Sequence, residues 1–256
     1  MTIEPCVLIT GAGRRIGRAM ALDLGLRGWK VAVHHHSAAT DAEEVADEIN
    51  RRNGGLIRAR TFAANLAREE EVAALIPHIA HALGPLTALI NNASVFEEDT
   101  AETMTRASWD AHMEVNLRAP LRLAQEFAKA LPEGALGAII NIIDQRVWRL
   151  TPKFFSYTIS KSALWTATQT LAQSLGPRIR VNAVGPGPTL RNERQSEADF
   201  ARQASSTILA RGPEPDDICT AIRYLLAAPS VTGQMIAVDG GQHLSWKTPD
   251  VYGIPE

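Results

Sequence analysis

With 256 residues, 45% hydrophobic and 21% charged, the chain holds enough apolar material for one sizeable core, and 26 basic against 28 acidic side chains leave a formal net charge of −2. That near balance, with only 5% aromatics, excludes the basic footprint and stacking platform of a nucleic-acid binder, and no apolar stretch is long enough to span a bilayer. Two cysteines, Cys6 and Cys219, are too few and too far apart for a disulfide framework or metal knuckle, and both read as reduced core residues.

Along the chain, short apolar runs alternate with helical patterns. Strands are predicted near residues 5–10, 30–35, 57–62, 86–91, 136–143, 179–184 and 234–238, with helices between them. Runs such as Ala138-Ile139-Ile140-Asn141-Ile142-Ile143 are apolar nearly throughout, as a strand covered by helices on both faces requires. The fold class is therefore α/β: a single doubly wound, Rossmann-like domain over residues 1–256, with a seven-stranded, mainly parallel sheet. No Pro/Gly/Ser-rich linker, charge block or internal repeat divides it. The first strand starts close to Met1 and leaves no room for a signal peptide, which predicts a cytoplasmic protein.

Ligands of such sheets bind beyond the carboxyl ends of the strands, and the chemistry-bearing residues follow predicted strands. After the first strand comes Gly11-Ala12-Gly13-Arg14-Arg15-Ile16-Gly17, opening a helical pattern. Glycines there let the backbone approach a pyrophosphate, and the free amides and positive end of the helix attract its charge. The spacing departs from Gly-x-Gly-x-x-Gly, since Ile16 stands where the third glycine falls and Gly17 comes one residue later. A plain strand-to-helix turn is the alternative. Further on, Tyr157 and Lys161 are four apart, so one helical turn puts a phenol and an ammonium on one face. A phenol titrates near pH ~10, and a fixed cation beside it brings ionisation closer to neutral pH, a pairing suited to proton transfer. The other reading is a solvated lysine one turn from a packing tyrosine.

The Gly-rich turn after Thr10, Asn91-Asn92-Ala93-Ser94, Asn116, Tyr157 with Lys161, Pro186-Gly187 and Asp239-Gly240-Gly241 occur in order from Val7 to Leu244. In this the chain resembles the short-chain dehydrogenases/reductases. The resemblance implies Tyr157 as general acid, Lys161 holding the nicotinamide ribose and lowering the phenol's pKa, and Asn116 anchoring a water relay. It also implies cofactor contacts from Asn65, Leu66, Asn92, Ala93, Ser94, Pro186, Gly187 and Thr189, with Asn92 lining the nicotinamide pocket. Asn91 and Asn92 also suit a strand-end turn satisfied by their own amides.

Three positions depart from the family pattern. Arg15 stands where its middle glycine is usual, Asp144 where a serine normally bonds the substrate carbonyl, and Asn65 where an aspartate usually accepts from adenine. Together with Phe96 and His34-His35-His36-Ser37 these make the chain resemble the pteridine reductases, and its carboxyl-terminal third looks most like the bacterial dihydromonapterin reductase branch. By that resemblance Phe96 stacks on a flat pterin, and Ser94 and Arg15 bond its polar edge; Trp148, shortly after Asp144 in sequence, is expected to line the pocket as well. An aspartate there has a chemical use, because reducing a carbon–nitrogen double bond sends hydride to carbon and a proton to nitrogen. Asp144 would pass that proton through Tyr157, and the two titrations should couple. Asp144 capping its loop or pairing with Arg146 is the plainer reading.

No Asp or Glu follows the second strand to hold a free ribose hydroxyl, which argues against NAD. Arg14, Arg15, His35, His36 and Ser37 supply donors and positive charge for a 2′-phosphate, so the expected cofactor is NADPH (NADP+) and the direction reduction. The histidine run lacks nearby carboxylates or thiols, and alternate strand residues face opposite ways, so no metal site is expected. The polar stretch at about 188–212 reads as a substrate lid, and its Glu193, Arg194, Glu197 and Arg202 also suit a solvated helical face. Ser156, Ser160, Ala163, Ala167 and Thr170 recur at helical spacing and suit close packing, and the resemblance implies a homotetramer. The expected activity is NADPH-dependent reduction of a small, pterin-like substrate such as dihydromonapterin, dihydrobiopterin or dihydrofolate. The rivals are a carbonyl or 3-oxoacyl-thioester reductase and a dinucleotide sensor without turnover.

Overall fold

Alternation of apolar side chains across the strands decides the architecture. Cys6 and Leu8 face one side of the first strand, Val7 and Ile9 the other, and all four are buried, so both faces must be covered. The computed structural model describes residues 3–249 and 251–254. Its strands are β1 (Cys6–Ile9), β2 (Lys30–His35), β3 (Ala59–Ala63), β4 (Ala88–Asn91), β5 (Gly137–Ile142), β6 (Ile179–Pro186) and β7 (Met235–Val238). Its helices are α1 (Arg15–Leu26), α2 (Ala39–Arg52), α3 (Glu69–Leu83), α4 (Arg106–Met113), α5 (Ala119–Ala130), α6 (Phe155–Leu175), α7 (Glu197–Ser205) and α8 (Pro215–Ala227).

The strands form one sheet in the order β3-β2-β1-β4-β5-β6-β7, and each neighbouring pair is parallel. On one face Met20, Leu24, Val45, Ile49, Ile218 and Ile222 pack α1, α2 and α8 onto Val7, Ile9, Val33 and Ile90. On the other, Leu75, Ile79, Leu123 and the fully buried Phe127 pack α3 and α5 onto Leu8, Leu89, Ile139 and Val181. Alternate strand residues thus feed two separate cores.

Neighbours β1 and β4 are far apart in sequence, so the chain's direction of travel across the sheet reverses between them and opens a crevice at their carboxyl ends. The Gly-rich turn leaves β1 there and Asn91 ends β4 there. β6 runs past its expected end to Pro186, because Gly185 and Pro186 pair with Ala237 and Val238, and this carries Pro186-Gly187 to the same rim. A π-helical turn, Glu114–Arg118, links α4 to α5 and turns Asn116 inward, fully buried. The stretch expected to act as a lid holds α7, none of whose residues is buried. Among the described residues no helix is long and apolar enough to cross a membrane.

Candidate active site

The turn after β1 is built for close backbone approach. Gly11 has φ +63°, and a methyl on Gly17 would fall 2.1 Å from the Gly11 carbonyl oxygen, closer than any side chain tolerates. Helix α1 begins without a side-chain cap and without an acidic residue in its first turn, leaving its amides and positive end open to an anion. Arg15 occupies a left-handed conformation, φ +54°, the geometry that explains why a glycine is usual there. Its guanidinium reaches across to the polar stretch after β6, donating to the carbonyls of Leu190 and Arg191 at 2.9 and 2.7 Å. Arg14 pairs with Asp41 at 2.6 Å.

Three polar groups brace this turn. Thr10 Oγ1 accepts from the amides of Asn92 and Ala93 at 2.8 and 2.9 Å, and Asn92 Nδ2 donates to the carbonyls of Thr10 and Gly11. The Asn92 amide therefore satisfies the turn as well as lining the cavity. His34, 1% exposed, lies beneath: its Nδ1 accepts from the Gly11 amide at 3.1 Å, which leaves Nε2–H to donate to the Ala64 carbonyl. Burial lowers its pKa from 6.5 to about 4. The folded state thus binds fewer protons than the unfolded chain between those values, and its stability falls as the pH drops through that window. We expect the stability difference between wild type and His34→Gln to shrink by about 3 kcal/mol as the pH falls from 6.5 towards 4. Urea midpoints across that range check it, and a pH-independent difference contradicts it. His35 is half-buried and His36 and Ser37 are exposed at the end of β2, where no carboxylate follows the strand. Asn65 Oδ1 accepts from the Ala67 amide, and Leu66 is buried.

A cavity of about 770 Å³ opens beyond the strand ends, lined by Arg15, Ile16, Asn92, Ser94, Phe96, Asp144, Tyr157, Lys161, Pro186, Gly187 and Thr189, and by Leu190, Asn192, Glu193 and Arg194 of the stretch expected to act as a lid. A Cβ on Gly187 would meet Asp239 Cα at 2.6 Å, so this rim also requires glycine. Asp144 does two jobs with two oxygens. Oδ1 accepts from the Arg146 amide at 2.8 Å, capping the short turn that follows, and Oδ2 accepts from the Tyr157 hydroxyl at 3.0 Å. The Arg146 guanidinium turns elsewhere, to Thr151. Lys161, 2% exposed, donates to the Ile142 carbonyl at 2.8 Å.

These neighbours reverse one expectation about the phenol. Burial first, then the charge of Asp144 and its hydrogen bond, push the Tyr157 pKa well above that of a free phenol. Lys161 does not offset this: its Nζ lies 5.9 Å from the ring centroid, and its bond goes to a backbone carbonyl. Burial also lowers the Lys161 ammonium from 10.5 to about 8, with Asp144 pulling it partly back. Tyr157 is therefore held in its protonated form.

Phe96 lines the cavity with its ring edge-on to Tyr157, 4.7 Å between centroids, and stacked on Phe154 at 4.2 Å and 9°. Arg146 and Arg194 each lie 5.1–5.9 Å from both phenyl centroids, which places them beside the stack and not over an outer face. Arg194 also donates to the Phe96 carbonyl and the Glu97 carboxylate, so it fastens the stretch expected to act as a lid to the Phe96 segment. Neither Phe154 nor the role of Arg194 was legible beforehand. Phe154 sits in a left-handed conformation just before α6, and nothing in an isolated Phe-Phe pair announces that.

One expectation needs correction. Trp148 is not part of the cavity lining; the short turn Gln145–Val147 carries it to the outer side, where it packs edge-on against Trp165 and His243. Ser156 and Ser160, expected to pack closely against another element, do so within the chain, fully buried, Ser156 against Asp99 and His112 of α4 and Ser160 against Asn116. Asn116 holds both backbone groups of Val95, at 2.8 and 2.9 Å.

The chain is similar to several known proteins. A family model described as enoyl-(acyl carrier protein) reductase matches residues 11–243. A short-chain type dehydrogenase/reductase of Picea abies is 34% identical over 92% of this chain and 91% of its own length. The 3-oxoacyl-[acyl-carrier-protein] reductase FabG of Staphylococcus aureus is 30% identical, over 95% of this chain and all of its own. Among solved structures, FolM alternative dihydrofolate reductase 1 from Brucella canis, complexed with NADP, superposes with a TM-score of 0.92 at 49% identity, covering 96% of this chain and 97% of that one. By its own motifs and by these likenesses, the chain belongs to the short-chain dehydrogenase/reductase family.

Proposed function

We propose that this protein is an NADPH-dependent reductase of dihydropterins, a class that includes dihydromonapterin, dihydrobiopterin and dihydrofolate. The observation that carries the reading is the Asp144–Tyr157 hydrogen bond in a cavity lined by Phe96. The cofactor fits this chain's own residues: the Gly11–Gly17 cradle that a Cβ would fill, the uncapped start of α1, and a β2 end without a carboxylate. Structural neighbours crystallised with NADP point the same way. NADPH, when bound, supplies the hydride.

The chain's residues supply the rest. Reduction of a carbon–nitrogen double bond needs a proton at nitrogen, and the Tyr157 hydroxyl, kept protonated by burial and Asp144, gives it. The O–H bond of Tyr157 breaks, an N–H bond forms, and water returns a proton to the phenol by way of Asp144. Phe96 offers the flat apolar surface that a bicyclic heteroaromatic ring needs. The stretch at about 188–212, tied to the cavity by Arg15 and Arg194, is the lid that keeps water out.

The likeness to FabG and to the enoyl reductase model makes a thioester reductase the second reading. Against it stands the carboxylate at Asp144, which repels the oxygen of a developing alkoxide, where a neutral donor would stabilise it. Phe96→Ala separates the two. It is expected to raise the dihydropterin KM about tenfold, the worth of a lost aromatic stack, while NADPH binding followed by fluorescence stays within twofold. An unchanged dihydropterin KM removes Phe96 from the substrate site.

A further inference from the structure

After β4 the chain runs extended past the cavity, and its odd residues are tied down one after another. Asn116 holds Val95, His112 Nε2 accepts from the Glu97 amide at 3.1 Å, and the Asp99 carbonyl accepts from the Phe155 amide at 3.1 Å. Phe96, Glu97 and Glu98 all line the cavity, and the tie at the Glu97 amide fixes the peptide group that follows Phe96.

Behind this segment three buried polar side chains join without any cation. Asp99 is 4% exposed, and His112 and Ser156 are fully buried. Asp99 Oδ1 accepts from the Ser156 amide at 3.0 Å, and Oδ2 accepts from the hydroxyls of Ser156 and Ser108. His112 Nε2 takes a backbone N–H, so its proton is on Nδ1, which donates to Ser156 Oγ at 2.7 Å. Burial lowers the His112 pKa against the pull of Asp99 and Glu97, in keeping with that neutral tautomer. The residue types are those of a nucleophilic triad, but the serine lies between the other two and none of them reaches the cavity, so they serve no nucleophilic chemistry.

Their position shows what they do. Ser156 immediately precedes Tyr157, and Glu97 immediately follows Phe96. The His112 ring is also edge-on to Tyr157, 6.1 Å between centroids. A chain of hydrogen bonds therefore runs from the backbone of the stacking residue to the first turn of the helix that carries the proton donor. We propose that His112 is a positioning residue which, through Ser156 and Asp99, fixes Phe96 relative to Tyr157 and so sets the affinity for a flat substrate. The proposal rests on the reading above in one respect, that Phe96 touches the substrate.

Two substitutions in the full-length protein divide the imidazole's two functions. His112→Gln keeps an acceptor within reach of the Glu97 amide, whereas His112→Asn keeps a donor for Ser156 and is too short for Glu97. We expect H112N to raise the dihydropterin KM about tenfold with NADPH affinity within twofold, and H112Q, which keeps the Glu97 tie but loses the Ser156 one, to raise it about threefold. Hydrogen exchange of the Glu97 amide should be fast in H112N and slow in wild type and H112Q. If H112N does not accumulate folded, Ser156→Ala, which cuts the same link as H112Q from the other side, should show the same threefold rise in KM, and an unchanged KM in S156A would overturn the proposal. Equal KM and exchange in wild type and H112N, with only a lower melting temperature, would reduce His112 to packing and overturn the proposal. Should wild type ignore dihydropterins, the functional reading fails, while Glu97 exchange and the KM for an acetoacetyl thioester still decide the role of His112.

Discussion

Tyr157→Phe is expected to lower kcat for a dihydropterin about a thousandfold while leaving NADPH affinity within a few-fold. The substitution removes one oxygen from a buried ring and changes little else: Phe96 still meets the ring edge, and Lys161 keeps its bond to Ile142. What disappears is the proton donor that burial and Asp144 hold protonated. General acid catalysis is worth roughly 10²–10⁴-fold, and no other hydroxyl bonds Asp144 Oδ2 to take over. Single-turnover oxidation of NADPH with the variant is the check. Turnover within tenfold of wild type would mean the proton comes from solvent and the phenol only shapes the cavity.

Asp144→Asn is the second large effect. Asparagine keeps an oxygen for the Arg146 amide, so the cap after β5 survives and the melting temperature should change by only a few degrees. The charge that keeps Tyr157 protonated and the route returning its proton are lost. We expect kcat on a dihydropterin to fall about a hundredfold, with acetoacetyl thioester activity no lower than in wild type. Measuring kcat and melting temperature on one preparation separates this from the plainer role, since a residue that merely caps its loop would show the opposite: little change in kcat.

Where function and structure share a cause, the sequence was readable. The central strands could be placed because each is apolar on two faces, and the Gly-rich turn because its crowding admits no side chain at Gly17. Tyr157, Lys161 and Asp144 lie close to one another along the chain, so a single turn and a single helix bring them together. Asp99, His112 and Ser156 come from three separate stretches, and only tertiary packing shows that they meet. Phe154 and Arg194 were hidden for the same reason, one in a left-handed residue before α6, the other in a polar stretch that looked solvated. Trp148 failed in the other direction. Nearness to Asp144 in sequence suggested the cavity, but the intervening turn faces it away. The phenol's pKa was misjudged because helical spacing reports which groups are near, not how thoroughly they are desolvated.

The measurement that tests the central claim most directly is steady-state oxidation of NADPH by the purified protein with dihydromonapterin, dihydrobiopterin and dihydrofolate, set against an acetoacetyl thioester and simple ketones. The account predicts kcat/KM at least a hundredfold higher for the best dihydropterin than for any carbonyl substrate. Turnover of the thioester or ketones alone would contradict it and make Asp144 a loop cap in a carbonyl reductase.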